Sequence, residues 1–462
     1  MEEVIKSLTK LIFDFTDKHS INISESNINL ILNFVFATSF FTILYNFLKK
    51  TYDFFSKIIA KADLHPIIDK VEIENATKFY ISTKGQNVSP ANEQEPKYSH
   101  AFTAKSNLIK FFIKAIKDES NTTRHYLILA DSGMGKTTFS INFYLKYKRL
   151  IAFEKYKINL LPLANPEVDD LIKEIPLQEN TLLILDGFDE DIKASTNYQK
   201  RIEELSKLTW KFRKVFITSR TQFFPSENLE PDETYLYKYS LDGHTQHYFK
   251  KIYLSPFDED DIKSYINKKF PIWMFWNYKK RSNVKKIIKL CPNLMVRPML
   301  LSYIDDLVDF KGQQEIAKAE KTKIFLTSSD IYKILIDRWI QREANRVESS
   351  RRVEFIENMS RFSKEIAVYI YEKKQNTLTI ESNEIVEFST KNKINLTELE
   401  LKGKSLLNRD ASGKYKFSHK SILEYFLAVN ACENKAFGEG TLFFSNVKNF
   451  DQAAKFCGEM NM

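Results

Sequence analysis

Apolar positions fall into two patterns along this 462-residue chain. Short apolar runs occur at Tyr126–Ala130 (YLILA), Ile158–Leu163 (INLLPL), Leu182–Leu185 (LLIL) and Val215–Thr218 (VFIT). The first, third and fourth lack polar alternation, as strands buried on both faces require, and apolar helical stretches lie between them. Strands alternating with helices predict an α/β domain on a parallel sheet. Beyond Pro256 the pattern changes to helices rich in Lys, Ile and Leu through about Asp309, and a mostly helical block runs from Ser329 to Cys432. No repeat of solenoid period is visible.

One segment follows neither pattern. Ile28 to Leu48 is 21 residues without a charge, about the length that crosses a hydrocarbon core. Asn29, Asn33 and Asn46 interrupt it, so a buried helix or hairpin is the alternative. Lys49, Lys50, Lys57, Lys61 and Lys70 follow it, against Lys6, Lys10 and Lys18 before it. The larger cationic cluster belongs in the cytosol, which puts everything after Lys49 inside. The stretch lies too deep for a secretory signal peptide, so an anchor or membrane effector is expected.

Length and composition narrow the picture. A chain this long exceeds one hydrophobic core, so two or more domains are expected. Gly85 to Pro96 (GQNVSPANEQEP) is polar and turn-rich, a linker candidate. Cys291, Cys432 and Cys457 lie far apart without a C-x-x-C pair, which argues for a reducing compartment and against zinc or a disulfide framework. The net charge of +9 fits nucleic acid, anionic lipid or nucleotide phosphates equally.

The candidate chemistry lies after the first and third strands. Ala130-Asp131-Ser132-Gly133-Met134-Gly135-Lys136-Thr137-Thr138 precedes an apolar helical run. Strand, glycine loop and helix is the order a phosphate cradle needs. Backbone amides approach phosphate oxygens where side chains are absent, the helix N-terminus favours negative charge, and Lys136 reaches the terminal phosphates. Thr137 would ligate Mg²⁺. The usual first glycine of the pattern is Ala130 here.

The third strand ends in Asp186-Gly187-Phe188-Asp189-Glu190. A carboxylate at the tip of the strand next to the phosphate loop can hold Mg²⁺, and a second acid can orient the attacking water. Asp186 is expected to take magnesium; Asp189 and Glu190 compete for the water. The fourth strand ends in Thr218-Ser219-Arg220, where a guanidinium could contact the γ-phosphate and sense its loss. The ligands expected are thus ATP or ADP with Mg²⁺.

With these residues in place, the chain resembles the NACHT family of STAND NTPases. LLILDGFDE carries the resemblance, together with ADSGMGKTT and ITSR. LSPFDEDDIKSYI (Leu254 to Ile266), VRPMLLSYI (Val296 to Ile304) and FSHKSILEYFLA (Phe417 to Ala428) extend it over residues 101–430. The resemblance implies an NTPase core at 101–255, a helical domain at 256–325 and a winged helix with associated helices at 326–432. An effector region would occupy 1–84, a linker 85–100 and a short tail 433–462. It also implies that Pro298 packs near the base and that His419 reaches the phosphates in a closed, ADP-bound state.

Members of the family act as switches: closed monomers hold ADP, and a trigger favours an open ATP state that self-associates into oligomers. The resemblance therefore implies a slow ATPase with an unknown phage or host trigger and an antiphage role. Residues 28–48 would be its output, at a bacterial inner membrane with the NTPase domains in the cytoplasm. A wholly cytoplasmic protein is the alternative. Only 30 residues follow the winged helix, and no leucine-rich, tetratricopeptide or propeller array is present, a departure from many relatives. Two other classes compete. A nucleotide-regulated DNA-binding protein would use the winged helix, although Ser421 to Ala428 is mostly apolar and no specific nucleic acid is expected. A constitutive AAA-type motor fits the acidic arrangement less well.

Overall fold

The structure is a computed structural model. It describes residues 56–87, 90, 106–150, 156–225, 230–231, 249–274, 276–308, 327–373, 378–410, 412–434 and 450–460, with a few single residues before 56. Met1–Pro66 with Lys148–Ile151 forms one compact unit; Ile67–Tyr147 with Ala152–Met462 forms the other. In the first unit, Ala60 and Leu64 are buried and Lys148 pairs with Asp63 at 3.1 Å.

Of residues 28–48, only Asn29, Leu30 and Asn33 are described; they are helical, and Asn33 Nδ2 donates to the Asn29 carbonyl at 2.9 Å. The rest of the membrane candidate lies outside the described residues. Among those described, no helix is long and apolar enough to cross a membrane.

The second unit begins with α1 (Lys70–Lys78) and contains a seven-stranded sheet. Its strands are β1 (Lys84–Gln86), β2 (Ser106–Asn107), β3 (His125–Ala130), β4 (Lys157–Pro162), β5 (Thr181–Asp186), β6 (Lys214–Arg220) and β7 (Phe249–Leu254), in the order β2-β1-β7-β3-β6-β5-β4. β7, β3, β6, β5 and β4 are parallel neighbours, whereas β1 pairs antiparallel with both β2 and β7. The sheet is therefore mostly parallel with an antiparallel edge. Gly85 and Gln86, read from sequence as the start of a linker, belong to β1.

One expectation needs correction. The strand beside the phosphate-loop strand is not the acidic one: β6 lies between β3 and β5. β6 follows β5 in the chain yet inserts between β3 and β5. Separately, β7 breaks the rule of uninterrupted apolar runs because Lys250 and Lys251 sit within it. Lys251 is tolerated because it pairs with the buried Glu230 at 3.1 Å.

Alternate strand residues face opposite layers. Leu127, Leu129, Leu183, Leu185, Val215 and Ile217 join the core beneath α4 (Val168–Glu174), α5 (Ile192–Thr196) and α6 (Tyr198–Leu208). On the other face, Tyr126 and Phe216 stack at 5.3 Å beside Phe112 of α2 (Leu108–Lys117) and Phe143 of α3 (Lys136–Lys148).

The remaining helices share one apolar core running from Ile262 to Cys457. They are α7 (Glu259–Lys269), α8 (Asn277–Leu290), α9 (Pro292–Met295), α10 (Pro298–Ser302), α11 (Ser328–Ala344), α12 (Arg352–Lys373), α13 (Ser382–Lys391), α14 (Lys420–Asn434) and α15 (Asp451–Met460). A hairpin of β8 (Leu407–Arg409) and β9 (Tyr415–Phe417) precedes α14, and Ile380 bridges Tyr415. The tail is anchored: Glu459 of α15 accepts from Ser328 Oγ and Ser329 N, both at 2.7 Å.

Candidate nucleotide site

The loop after β3 follows from its glycines. Gly133 and Gly135 have φ of 76° and 88°, a region that L side chains disfavour. The chain can thus turn between Ala130 and Lys136 with its amides facing one side, and α3 starts at Lys136 with first-turn amides that have no partner within the helix. Lys136 is partly buried, and burial pulls its ammonium below the usual lysine value. Thr137 and Thr138 lie in that first turn.

Asp186 ends β5. Its Oδ1 accepts from Ser140 Oγ at 2.7 Å and Thr218 Oγ1 at 2.8 Å, while no hydrogen bond among the described residues reaches Oδ2. Ser140 is three residues past Thr137, so both hydroxyls lie on one helix face. This set fits Mg²⁺, which is commonly held by one or two carboxylates together with substrate phosphates and waters. No group of three or more His, Cys, Asp or Glu able to hold a metal exists among the described residues. Sequence reasoning missed Ser140 and Thr218; the helix spacing from Thr137 was the available signal for Ser140.

On the other side of the loop, Arg220 is buried and fully engaged. Its backbone N–H donates to Asp189 Oδ1 at 2.8 Å, its Nε pairs with Asp189 Oδ2 at 2.9 Å, and NH2 pairs with Glu343 Oε2 of α11 at 3.0 Å. NH1 reaches Ser132 Oγ at 3.2 Å and the Gly403 carbonyl. Burial pushes the Asp189 carboxyl up, but Lys136 and Arg220 outweigh it and hold it below the usual value. Glu343 has no exposed surface; burial opposes its charge, yet Arg220, Arg346 and Arg342 bring its carboxyl down to about 2. Glu190 pairs with Arg346 at 3.0 Å. Asp189 and Glu190 thus stand differently: Arg220 occupies both oxygens of the first, and the second is turned to an arginine from beyond α11.

The downstream helices also grip the loop itself. Pro298 is the first residue of α10, and Met299 N–H donates to the Gly133 carbonyl at 3.1 Å. A Cβ on Gly133 would lie 3.1 Å from the Met299 side chain. Asn408 Nδ2 donates to Asp131 Oδ2 at 2.5 Å. Arg297 donates to the carbonyls of Ser132 and Ser418, both at 3.3 Å, tying the loop to the residue before His419.

His419 Nδ1 accepts from Ser421 N at 3.1 Å, so the neutral ring carries its proton on Nε2, which is buried without a partner among the described residues. Burial, then Arg297 and Lys420, bring its pKa down to about 4. Sequence reasoning missed Arg297, Glu343, Arg346 and Asn408. Arg297 stood in the VRP segment beside Pro298; the others carried no local signal.

No family model and no curated protein matches this chain. Similar solved structures include a RuvB variant of Thermotoga maritima, with 12% identity over 67% of this chain and 90% of that chain and a TM-score of 0.33. A Walker-type ATPase of Pyrococcus abyssi has 11% identity over 73% and 98%, with a TM-score of 0.35. AMPPCP-bound DnaA of Aquifex aeolicus has 12% identity over 78% and 99%, with a TM-score of 0.29. At such scores these likenesses carry no argument. The strand order and loop geometry themselves make this a P-loop nucleotide-binding core in a mostly parallel α/β sheet, followed by a helical region.

Proposed function

We propose that this chain is a NACHT-type nucleotide switch whose downstream helices clasp the phosphate loop in an ADP-holding state and release it when ATP enters. The observation that carries the reading is the engagement of Arg220 by Glu343, a buried ion pair joining the sheet to α11. A guanidinium so held is unavailable to a γ-phosphate, so the two nucleotides would contact the two states differently, as a switch requires.

In this reading Lys136 and the loop residues Ala130 to Thr138 hold the phosphates, and Thr137 and Asp186 hold Mg²⁺, which when bound neutralises phosphate charge. Freed from Asp189 and Glu343, Arg220 would face the γ-phosphate, leaving Asp189 or Glu190 to position water during slow, resetting hydrolysis. The Nε2–H of His419, unpartnered among the described residues, supports a phosphate-facing role, since a buried donor left unsatisfied is costly. Pro298 opens the helix whose Met299 touches the loop, which agrees with a place beside the nucleotide.

The β8–β9 hairpin with Ile380 supports a winged helix at 326–432. The DNA-binding reading finds no support there, because Ser421 to Ala428 is buried throughout. Activation would open the clasp, permit self-association and act through residues 28–48 at a bacterial inner membrane in antiphage defence. That part rests on the uncharged run, its lysine flank and the family resemblance.

The test is to purify the chain and identify its nucleotide. Retained ADP is expected, and Lys136→Ala should weaken nucleotide binding by about 10- to 100-fold, as loss of one hydrogen bond to a charged group does. Fast, steady ATP turnover without a trigger would overturn the switch in favour of a motor. In bacteria, protection or toxicity that survives both Lys136→Ala and deletion of residues 28–48 would overturn the proposed output.

A further inference from the structure

The positive charge of this chain is not spread evenly. Residues 262–304 carry ten Lys and Arg side chains and no Asp or Glu, one charge more than the +9 of the whole molecule, so the remainder is close to neutral. Most of these cations lie on or beside α8, which follows the segment Phe270-Pro271-Ile272-Trp273-Met274-Phe275-Trp276.

Three apolar side chains of that segment, and one at the start of α8, are exposed. Ile272 is 72% exposed, Trp273 77%, Trp276 59% and, at the start of α8, Tyr278 82%. The turn is held in this form. Arg281 donates to the Phe270 carbonyl at 2.6 Å and to Asn267 Oδ1 at 2.8 Å, and Asn277 Nδ2 donates to the Pro271 carbonyl at 3.2 Å. Phe270 is buried as its anchor. Helix α8 turns Val284 and Ile287 into the core and leaves Lys280, Lys285, Lys286 and Lys289 exposed, none in an ion pair among the described residues. Exposed apolar side chains are thus followed directly by a helix with an exposed lysine face.

Three kinds of partner could cover such a surface, and charge and layout separate them. A second copy meeting it face to face would set lysines against lysines. A single-stranded nucleic acid needs cations among the aromatics to follow its phosphates; here Pro271 to Trp276 contains no charged residue and the cations that follow begin only at Lys279. A bilayer fits both sets of side chains. Trp and Tyr rings favour the headgroup level, Ile favours the acyl boundary, and the lysines that follow them meet anionic headgroups.

We propose that Ile272, Trp273, Trp276 and Tyr278 and the lysine face of α8 form a peripheral docking site for a bilayer surface rich in anionic lipid. The site is separate in sequence from residues 28–48 and does not depend on the nucleotide switch.

The full chain is mixed with vesicles of phosphatidylcholine alone, or with phosphatidylglycerol added, carrying brominated acyl chains. Tryptophan quenching and co-sedimentation are expected only with phosphatidylglycerol, and both should fall as salt rises. The double variant Trp273→Ala/Trp276→Ala removes exposed rings and should abolish the quenching. Changing Lys280, Lys285, Lys286 and Lys289 to Glu should weaken binding by about a hundredfold or more, since each lysine near an anionic surface is worth roughly fivefold. Quenching unchanged by either variant, equal binding to neutral vesicles, or sedimentation that survives both sets of changes would overturn the site. Tighter binding to a single-stranded oligonucleotide with the same dependence on Trp273 and Trp276 would overturn the choice of partner.

Discussion

Asp186 and Arg220 end neighbouring strands of one sheet, yet different parts of the chain hold their side chains. Asp186 is fixed by Ser140 and Thr218, both within the NTPase core. Arg220 is fixed by Asp189 nearby but also by Glu343 and Gly403, more than a hundred residues downstream. Under the proposed function, the magnesium side would then be complete within the core, whereas the γ-phosphate side would be conditional on the contact between Arg220 and Glu343 of the helical region. A site built this way can keep binding nucleotide while its catalytic half is switched.

The strongest way to break this comparison is Glu343→Ala. It strips the carboxylate from Arg220, with Arg342 at 3.8 Å and Arg346 at 4.0 Å also affected. Removing one partner of a buried pair costs about 3–5 kcal/mol. Denaturation should show that loss, and amides of α11 should lose protection from hydrogen exchange. A cost below about 1 kcal/mol would mean that the contact behaves like a surface pair and clasps nothing.

Next in size is the magnesium side. Ser140→Ala and Thr218→Val each remove a hydroxyl from a carboxylate, worth about 1.5–3 kcal/mol for a hydrogen bond to a charged group. The comparison predicts weaker Mg²⁺-dependent nucleotide binding, read by titration, with exchange protection of α11 unchanged. Loss of protection there would show that the two halves are not separate.

The smallest effect is a pH dependence from His419. Its folded pKa of about 4 lies below the ordinary value of 6.5, so the unfolded chain takes up its proton first. The contribution is intact above pH 6.5 and is lost as pH falls towards 4. Between pH 7.5 and 5.5 the loss should reach about 1 kcal/mol, seen as a lower Tm that His419→Asn largely removes.

What the sequence disclosed follows the same division. The phosphate loop and the acidic turn were legible because their chemistry is local: glycines, lysine and carboxylates set a few residues apart between a strand and a helix. The apolar runs of β3, β5 and β6 were legible because burial on both faces fills the middle of each strand with apolar residues. β7 was hidden by Lys250 and Lys251, whose acceptance depends on Glu230 from a separate segment. Strand order was hidden because neighbours in sequence need not pair in space. Glu343 and Arg346 read as ordinary polar residues near the end of a helix, and only the fold brings them to Arg220 and Glu190. His419 stood out in a recognisable segment, but the burial of its Nε2 is a property of packing.

The most direct test of the clasp is the release rate of a fluorescent ADP from the unaltered chain and from Glu343→Gln, which keeps the shape of the side chain and removes its charge. The account predicts slow release from the unaltered chain and release faster by about tenfold or more from the variant, the effect of weakening the closed state by roughly 1.4 kcal/mol. Equal release rates, with ADP bound equally well by both proteins, would contradict it.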